Sequence, residues 1–452
     1  MRLYNTMSRR VEEFTAAGDE VKMYVCGITP YDHSHVGHAM SYIIFDVLRR
    51  YLEFRGYTVR HVQNYTDIDD RIIVRANARG LPFDTVAEEY IREYEDEIRE
   101  LNIVPAHLYP RATHEIPTII EMVQRLMENG NAYRADGDVY FRVRSKPDYG
   151  KLSGRDVDSL MAGARVEPGE QKQDPADFAL WKGAKPEEPA WESPWGPGRP
   201  GWHIECSAMA YRYLGPTLDI HGGGQDLIFP HHENEIAQSE AFTGVKPFVR
   251  YWVHNGWLTL DETKMSKSLG NIITIREALN RFGADALRIF VLTAHYRAPL
   301  SYSEESLESA RRAAERLRLA ANVPSAEGAL SDVDPEEARR RFLVAMDDDL
   351  NTSGALAALF DLAREINRSR DGGRATEPAQ AMLRQLAGVL GLTLREPEAS
   401  EAAGPFIDLL VNVRNELRER KVFEVADGIR ARLGELGIIL EDGDEGTRWR
   451  RG

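Results

Sequence analysis

Residues 22–64 read KMYVCGITPYDHSHVGHAMSYIIFDVLRRYLEFRGYTVRHVQN, and this stretch decides the fold. Short runs of β-forming residues at 22–25 and 59–64 predict two strands, and apolar residues at helical spacing over 41–54 predict a helix between them. A strand, a turn, a helix and a second strand are the opening of a doubly wound α/β sheet. Ligands of such sheets bind beyond the carboxyl ends of the strands, so we expect a site in the residues that follow them.

The turn before this helix contains His35-Val-Gly-His38. Its glycine allows close backbone approach, and its two imidazoles can donate to phosphate oxygens. A later string, Lys264-Met-Ser-Lys-Ser268, places two ammonium groups beside two hydroxyls, with Gly270 just after. That composition suits a loop that closes over a polyphosphate. In this order, the two strings resemble the signatures of class I aminoacyl-tRNA synthetases, which predicts that ATP is held with its α-phosphate positioned for attack.

The bulk composition is that of a globular protein of about three domains, with 452 residues, 42% hydrophobic and 29% charged. The net charge of −15 argues against a protein that coats nucleic acid indiscriminately, but it allows a local basic surface. Two cysteines exclude a disulfide scaffold and favour a reducing cytoplasm. We expect no signal peptide and no membrane span, because the sequence has neither a charged-then-apolar leader nor a run of about 18 apolar residues.

Both cysteines stand near other potential metal ligands. Cys26 ends the first predicted strand, and Cys206 is followed by Pro230-His-His-Glu-Asn-Glu235. If Pro230 opens a helix, His231 and Glu235 are four residues apart and share one face. Two thiolates, one imidazole and one carboxylate suit zinc, and thiolates select zinc over magnesium or calcium.

The residue pattern alone leaves alternatives to this ligand set. His232 competes with His231, and Glu233 competes with Glu235. Isolated cysteines are also commonly small buried hydrophobic residues. The neighbouring imidazoles of His203, His221 and His232 fit a satisfied core as well as a substrate-facing surface.

The chain resembles the cysteinyl-tRNA synthetase family over essentially its whole length. The matching stretches are Met23-Tyr-Val-Cys-Gly27, Tyr31-Asp32 with His35-Val-Gly-His38, Asn64-Tyr-Thr-Asp-Ile-Asp-Asp70, Asp148-Tyr-Gly-Lys-Leu-Ser-Gly154, Asp177-Phe-Ala-Leu-Trp-Lys182, Gly201-Trp-His-Ile-Glu-Cys-Ser-Ala-Met209, Asp219-Ile-His-Gly-Gly-Gly224, Phe229-Pro-His-His-Glu-Asn-Glu-Ile-Ala-Gln-Ser239 and Lys264-Met-Ser-Lys-Ser-Leu-Gly-Asn271. These stretches are long and idiosyncratic, so the resemblance is specific.

The resemblance implies a role for each matched residue. It implies one Zn²⁺ per chain held by Cys26, Cys206, His231 and Glu235, with the substrate thiolate joining the metal. The residues that it implies for ATP are His35, Gly37, His38, Lys264, Ser266 and Lys267, of which His35, His38, Lys264 and Lys267 are catalytic. The residues that it implies for the cysteine pocket are Gly27, Thr66, Trp202 and His221.

The resemblance also implies the domain order. We expect an α/β fold in which a Rossmann-like parallel sheet with an insertion is followed by a helical bundle and a small C-terminal domain. The expected segments are 1–115, the first half of the catalytic domain; 116–200, a connective insertion; 201–263, the second half with the zinc ligands; 264–302, the KMSKS loop and stem-contact region; 303–395, the bundle; and 404–452, an anticodon-binding region.

The activity so implied is ligation of L-cysteine to tRNA. The enzyme would activate cysteine with ATP and Mg²⁺ to cysteinyl-adenylate and transfer it to the tRNA 3′ end, as a cytoplasmic monomer without a proofreading site. Local basic surfaces would contact the tRNA. The candidates for those surfaces are Arg311, Arg312, Arg316 and Arg318 on one helix and Arg414, Arg418, Arg420 and Lys421 on another.

Two departures from the family pattern keep a rival enzyme in view. Ile28-Thr29-Pro30 and Gln225 replace the usual residues, and the first is similar to a ligase that joins cysteine to an aminosugar-inositol. That ligase is expected to lack the tRNA-reading region, so residues 300–452 discriminate between the two. A non-catalytic zinc protein that binds nucleic acid is a third interpretation, which the two ATP-binding strings oppose.

Overall fold

The computed structural model describes residues 1–157, 171–260, 263–264, 273–325, 328–395, 404–436, 438–443 and 446–451. The chain divides into two compact units, Met1–Leu394 and Arg395–Gly452. The strands of the first unit are β1 (Arg2–Asn5), β2 (Arg10–Glu13), β3 (Glu20–Val25), β4 (Thr58–Gln63), β5 (Ala132–Ala135), β6 (Asp138–Phe141), β7 (Phe178–Gly183), β8 (Gly198–Pro200), β9 (Leu218–Gly224), β10 (Val249–Asn255), β11 (Leu258–Leu260), β12 (Thr263–Lys264) and β13 (Leu300–Tyr302). Its helices are α1 (Val36–Phe54), α2 (Asp70–Arg79), α3 (Phe83–Glu100), α4 (Ile116–Glu128), α5 (Trp202–Leu214), α6 (Glu233–Thr243), α7 (Ile275–Phe282), α8 (Ala284–Leu292), α9 (Glu304–Asn322), α10 (Pro335–Asp347), α11 (Thr352–Asp371) and α12 (Glu377–Val389).

The central sheet has four strands in the order β10-β9-β3-β4, and every neighbouring pair is parallel. The register of β3 on β4 runs from Glu20 opposite Thr58 to Val25 opposite Gln63. Parallel pairing of consecutive strands requires a crossover, and α1 supplies it. The sheet opening predicted from residues 22–64 is therefore present.

Helix α1 begins five residues earlier than its apolar periodicity predicts. It starts at Val36, inside the HVGH string, and 13 of its 19 residues are buried. The N-cap is His35, whose side chain accepts a hydrogen bond from the backbone of His38. The first turn of the helix is thus made from the motif itself.

The insertion forms its own antiparallel sheet, β5-β6-β7-β8, and shares a hydrophobic core with α5 and α6. The residues Asp136-Gly-Asp138 predict a hairpin within 132–143, and the structure confirms it. Strands β5 and β6 pair antiparallel, and Asp136 and Gly137 between them adopt positive φ, 49° and 90°. This geometry is that of a two-residue turn that suits strand twist.

Two expectations about element bounds differ from the structure. The parallel sheet does not resume at Gly201, because this residue is the N-cap of α5, whose mostly apolar sequence hides its helical period. The sequence over 275–293 predicts one helix, but the structure has two, α7 and α8, because Gly283 between them adopts a φ of 80°.

The later part of the first unit is helical, as predicted. Helices α9 to α12 pack together and share a hydrophobic core with α1. The second unit contains helices α13 (Gly404–Glu419) and α14 (Phe423–Glu435) and an antiparallel hairpin of β14 (Ile438–Gly443) and β15 (Gly446–Arg451). Among the helices described in either unit, none has the length and apolarity needed to cross a bilayer.

Candidate active site and metal centre

The two histidines of the HVGH string stack on each other at the start of α1. Their ring centroids lie 3.7 Å apart, with an interplanar angle of 14°. The backbone N–H of His35 donates to Nδ1 of His38 at 3.1 Å, and that of His38 donates to Nδ1 of His35 at 3.3 Å. A Cβ atom on Gly37 would lie 2.9 Å from Nδ1 of His35, so the stacked arrangement requires glycine. The motif therefore caps the helix with its Nδ1 atoms.

The chain that follows the KMSKS string returns to the HVGH string. Residues 273–275 and 34–36 form an antiparallel bridge, in which the backbone N–H of Val36 donates to the carbonyl oxygen of Ile273 at 3.1 Å. A second bond between the two segments measures 2.9 Å. This bridge brings the chain that follows the KMSKS string directly to the HVGH string.

The other end of the KMSKS segment is held by β12. The backbone of Lys264 pairs with Thr259 of β11. The remaining residues predicted for ATP binding in this string, Ser266 and Lys267, lie outside the described residues. Both flanks of the segment are thus placed, and the roles of its side chains remain predictions.

All four predicted metal ligands are buried, and their side chains lie in one cluster. Sγ of Cys26 lies 4.0 Å from Sγ of Cys206 and 3.8 Å from Oε1 of Glu235. Nε2 of His231 lies 3.0 Å from the same carboxylate oxygen. The ring of His232 also enters the cluster, with Nε2 3.4 Å from Sγ of Cys26. The four residues whose ligand atoms all lie within 4.8 Å of one another are Cys26, His231, His232 and Glu235, so this set holds His232 in place of the predicted Cys206.

The spacing of the two thiols fits a tetrahedral zinc site. With Zn–S bonds of about 2.3 Å, two sulfur ligands of one ion stand about 3.8 Å apart. The observed separation of Cys26 and Cys206 is 4.0 Å. The donors are two sulfurs, an imidazole nitrogen and a carboxylate oxygen, which is a zinc-type set.

The electrostatics of the cluster also favour a cation. A hydrogen bond from the Cys26 thiol lowers the pKa of Cys206 to about 6. Burial would raise the pKa of Glu235, yet His221 and His231 lower it to about 2. Burial would lower the pKa of His231, but the charges on Glu235 and Cys206 raise it to about 10. A thiolate and a carboxylate thus attract positive charge to this point, here as a proton on His231.

Further imidazoles orient the predicted ligands from outside. Nδ1 of His203 lies 2.9 Å from Nδ1 of His231, so Nε2 of His231 is the atom that faces the cluster. Nε2 of His221 lies 2.9 Å from Oε2 of Glu235. Outer hydrogen bonds of this kind fix the orientation of metal ligands.

A buried chain of groups leads away from His232. Its Nδ1 lies 2.8 Å from Nε2 of His254, and Nδ1 of His254 lies 2.8 Å from Oγ1 of Thr6. Burial lowers the pKa of His254 to about 3, so this ring is neutral. No pattern in the sequence pointed to His254, because a lone histidine in an apolar strand is typical of a satisfied core residue.

Two of the residues predicted for the cysteine pocket, Gly27 and Thr66, lie just beyond the carboxyl ends of β3 and β4. The backbone N–H of Gly27 donates to Oδ1 of Asn64 at 2.9 Å, and Nδ2 of Asn64 donates to Oγ1 of Thr66 at 3.2 Å. A Cβ atom on Gly27 would lie 1.6 Å from the carbonyl oxygen of Asn64, so only glycine fits there. Asn64 therefore joins the two predicted pocket residues.

The other two predicted pocket residues contact the cluster of predicted metal ligands. Trp202 stacks on His231, with ring centroids 4.5 Å apart. His221 is fully buried and stacks on Trp252 at 4.6 Å. Trp202 therefore contacts the cluster through His231, whereas His221 contacts it through Glu235.

The basic clusters predicted to contact tRNA are partly internal. Arg414 is fully buried, with Nη1 3.3 Å from Oγ1 of Thr447, so it is not part of an exposed basic surface. Arg311 pairs with Glu308 one turn away on α9, so part of its charge is balanced locally.

Comparison with known proteins places the chain in a family. A family model described as the tRNA synthetases class I (C) catalytic domain matches residues 13–312, and one described as the DALR domain matches residues 341–395. The cysteine–tRNA ligase of Dehalococcoides mccartyi (strain ATCC BAA-2266 / KCTC 15142 / 195) is 59% identical over 100% of this chain and 99% of the relative. The cysteine–tRNA ligase of Symbiobacterium thermophilum is 51% identical over the same shares of the two chains. This chain belongs to the cysteine–tRNA ligase family.

Membership in the cysteine–tRNA ligase family confirms the predicted family, fold class and enzyme class. Among solved structures, Mycobacterium tuberculosis methionyl-tRNA synthetase in complex with methionyl-adenylate matches with a TM-score of 0.60 and 18% identity, over 87% of this chain and 94% of that one. At that identity the likeness shows the fold alone, and the fold is that of a class I synthetase.

Proposed function

We propose that this chain activates L-cysteine with ATP to cysteinyl-adenylate and transfers the cysteinyl group to the 3′ end of its tRNA. One observation carries the proposal: the HVGH turn and the thiol of Cys26 lie beyond the carboxyl end of the same sheet, with Cys26 directly after β3 and His35 directly before α1. This edge is where open parallel sheets bind ligands. The proposed ATP-binding turn and the proposed thiol-selecting metal centre therefore lie at the same edge of the parallel sheet.

The metal that we propose is Zn²⁺, held by Cys26, Cys206, His231 and Glu235. Their donor set and the 4.0 Å separation of the two sulfurs support this assignment. When bound, zinc would select a substrate thiolate over the hydroxyl of serine, a near-isostere that pocket shape alone discriminates poorly. His203 and His221 would hold the ligand side chains in place, and no editing site is then needed.

In the first step, the cysteine carboxylate attacks the α-phosphorus of ATP and pyrophosphate leaves. This reaction depends chiefly on positioning and on neutralising charge. The Nδ1 atoms of His35 and His38 cap α1, so contacts to phosphate oxygens would be made by their Nε2 atoms. Lys264 and Lys267 would stabilise the leaving pyrophosphate, together with the Mg²⁺ that accompanies ATP.

Binding of the amino acid would use the groups around Asn64. The Asn64 amide fixes Gly27 on one side and Thr66 on the other, so the ends of β3 and β4 form one rigid edge. Trp202, stacked on His231, would close the pocket beside the metal ligands. These contacts would orient the substrate carboxylate toward ATP.

In the second step the tRNA 3′ end receives the cysteinyl group. Residues 341–395 match a DALR domain, and the second unit adds two helices and a hairpin. This extra chain favours a tRNA acceptor over an aminosugar acceptor. We further propose that the protein acts as a monomer in the cytoplasm, where a reducing environment would preserve its two free thiols for metal binding.

The test is cysteine-dependent ATP–pyrophosphate exchange, followed by transfer to tRNA, with zinc content measured in the same samples. We expect Cys206→Ser to lower zinc content and cysteine activation together. The aminosugar acceptor serves as the control substrate. Transfer to the aminosugar but not to tRNA would overturn the acceptor, and full activity of a zinc-free Cys206→Ser protein would overturn the metal.

A further inference from the structure

Glu233 is a buried carboxylate inside the segment that carries the proposed zinc ligands. It lies between His231 and Glu235 in sequence, and its side chain is 1% exposed. A helix turns about 100° per residue, so Glu233 lies about 200° around α6 from Glu235. Its carboxylate therefore faces away from the metal cluster.

The carboxylate of Glu233 is held by three backbone N–H groups from one loop. The amide of Gly150 donates to Oε1 at 3.0 Å, and the amides of Leu152 and Ser153 donate to Oε2 at 3.1 and 2.8 Å. Successive amides that converge on an anion form a tight cradle, and hydrogen bonds to a charged acceptor are about twice as strong as neutral ones. The loop belongs to the Asp148–Gly154 motif, which the proposed ATP and metal chemistry leaves without a role.

The same loop grips α6 at two more points. The hydroxyl of Tyr149 donates to Oδ1 of Asn234 at 2.5 Å. Nζ of Lys151 lies 2.7 Å from Oε2 of Glu240, almost two turns further along the helix. The loop thus contacts α6 at Glu233, Asn234 and Glu240, and these contacts together oppose rotation of the helix about its axis.

We propose that Glu233 is a positioning residue for the zinc centre, because its clamp on the 150–153 loop fixes the rotation of the first turn of α6, which presents Glu235, and of the turn just before it, which carries His231. The inference rests on the proposed metal centre. A rotation of α6 by a fraction of a turn would move both ligands together, away from Cys26 and Cys206. Metal ligands whose orientation is also fixed by contacts outside the metal site bind the metal more tightly than ligands oriented by the metal alone.

The test uses the full-length zinc protein and the variant Glu233→Gln. The amide keeps one acceptor oxygen but places an NH₂ group against backbone amides that need the other, so the clamp loses its charge and part of its hydrogen bonds with little change in volume. We expect zinc release to the chromogenic chelator 4-(2-pyridylazo)resorcinol to accelerate by about 10- to 100-fold. We also expect altered d–d bands in the Co²⁺-substituted protein, and a raised KM for cysteine with an unchanged KM for ATP.

Two further variants keep the test decisive. Glu97→Gln replaces an equally buried carboxyl group on α3, away from the loop, and should release zinc at the wild-type rate. Tyr149→Phe removes only the contact to Asn234 and should accelerate zinc release by a few-fold. This variant provides the test if Glu233→Gln does not fold. Wild-type release rates in folded Glu233→Gln, or in Tyr149→Phe when the first variant is unfolded, would overturn the inference. A wild-type protein that holds no zinc would instead overturn the proposed metal centre, and this inference with it.

Discussion

Nε2 of His221 lies 2.9 Å from Oε2 of Glu235, and both side chains are fully buried. The second carboxylate oxygen of Glu235 is the one that lies 3.0 Å from His231. His221 therefore orients this carboxylate so that one oxygen is engaged from below and the other faces the metal cluster. This relationship assigns His221 an outer role that its position in the sequence did not indicate.

Replacing His221 should therefore weaken metal binding while leaving the four ligands in place. Loss of an outer hydrogen bond to a metal ligand costs roughly 10- to 100-fold in affinity. We expect that loss for His221→Ala in a zinc competition titration. His221→Gln is the matched control, because its amide nitrogen can occupy the position of Nε2, and it should retain most of the affinity. Equal affinities for the two variants would contradict the role given to Nε2.

The two functions of His35 should separate in a pair of variants. His35→Ala removes both the N-cap of α1 and the proposed phosphate contact, whereas His35→Ser keeps a good N-cap and removes only the imidazole. We expect both variants to lose about 100-fold in ATP–pyrophosphate exchange. Only the alanine variant should also lose about 1 kcal/mol of stability in urea unfolding. Exchange at the wild-type rate in His35→Ser would show that the ring serves the helix alone.

The buried carboxyl group of Glu97 should make stability depend on pH. Burial, assisted by Glu93, raises the pKa of Glu97 to about 8, although Arg276 opposes the shift. The unfolded chain releases this proton near pH 4.5. Between pH 4.5 and 8 the folded protein binds the proton more tightly, so this contribution to stability is lost as the pH rises.

Glu97→Gln removes that titration. Its free energy of unfolding in urea should match that of the wild type near pH 5. Toward pH 8 it should exceed the wild-type value increasingly, by at most about 1.4 kcal/mol per pH unit. The measurement is a series of unfolding curves for both proteins across this range. A constant difference between the two proteins at every pH would refute the raised pKa.

The ion pair between Asp46 and Arg288 should be the most sensitive charged contact in the first unit. Both side chains are fully buried, and Nη2 of Arg288 donates to Oδ2 of Asp46. Arg288 also donates to the carbonyl oxygens of Leu390 and Leu101, so it joins α1 to the end of the bundle. Breaking a buried pair by removing one partner leaves an uncompensated charge and costs about 3–5 kcal/mol.

We expect that loss for Asp46→Asn in urea unfolding of the full chain. Glu308→Gln is the control, because it removes one partner of an exposed pair with Arg311 on α9 and should leave the unfolding curve unchanged. Comparable effects of the two variants would mean that burial of the Asp46 pair does not set its contribution.

Much of the site could be predicted because its chemistry lies in short local strings. The HVGH string and the His231–Glu235 spacing each occupy a few consecutive residues, and local spacing survives in the fold as a shared face. The choice between Glu233 and Glu235 could not be made from the pattern itself, since it depends on which side of α6 faces Cys26. In the structure the two carboxylates have different surroundings, because Glu235 faces the cluster and Glu233 faces the 150–153 loop.

The bounds that failed share a physical cause. Helix α5 is buried on nearly all sides, so its sequence has no polar face to reveal its period. The break between α7 and α8 depends on the backbone of Gly283, whose positive φ of 80° is a conformational choice that glycine permits but does not require.

The sequence by itself determined the opening of the parallel sheet, the family and the set of candidate metal ligands, because these depend on residue type and on short spacing. Only the tertiary structure decided how those atoms are held. The 4.0 Å approach of Cys26 and Cys206, the bridge from residues 273–275 to the HVGH turn, and the hold of His221 on Glu235 each join segments that are far apart along the chain. Such contacts are set by the packing of whole elements, and no local pattern encodes the distance between them.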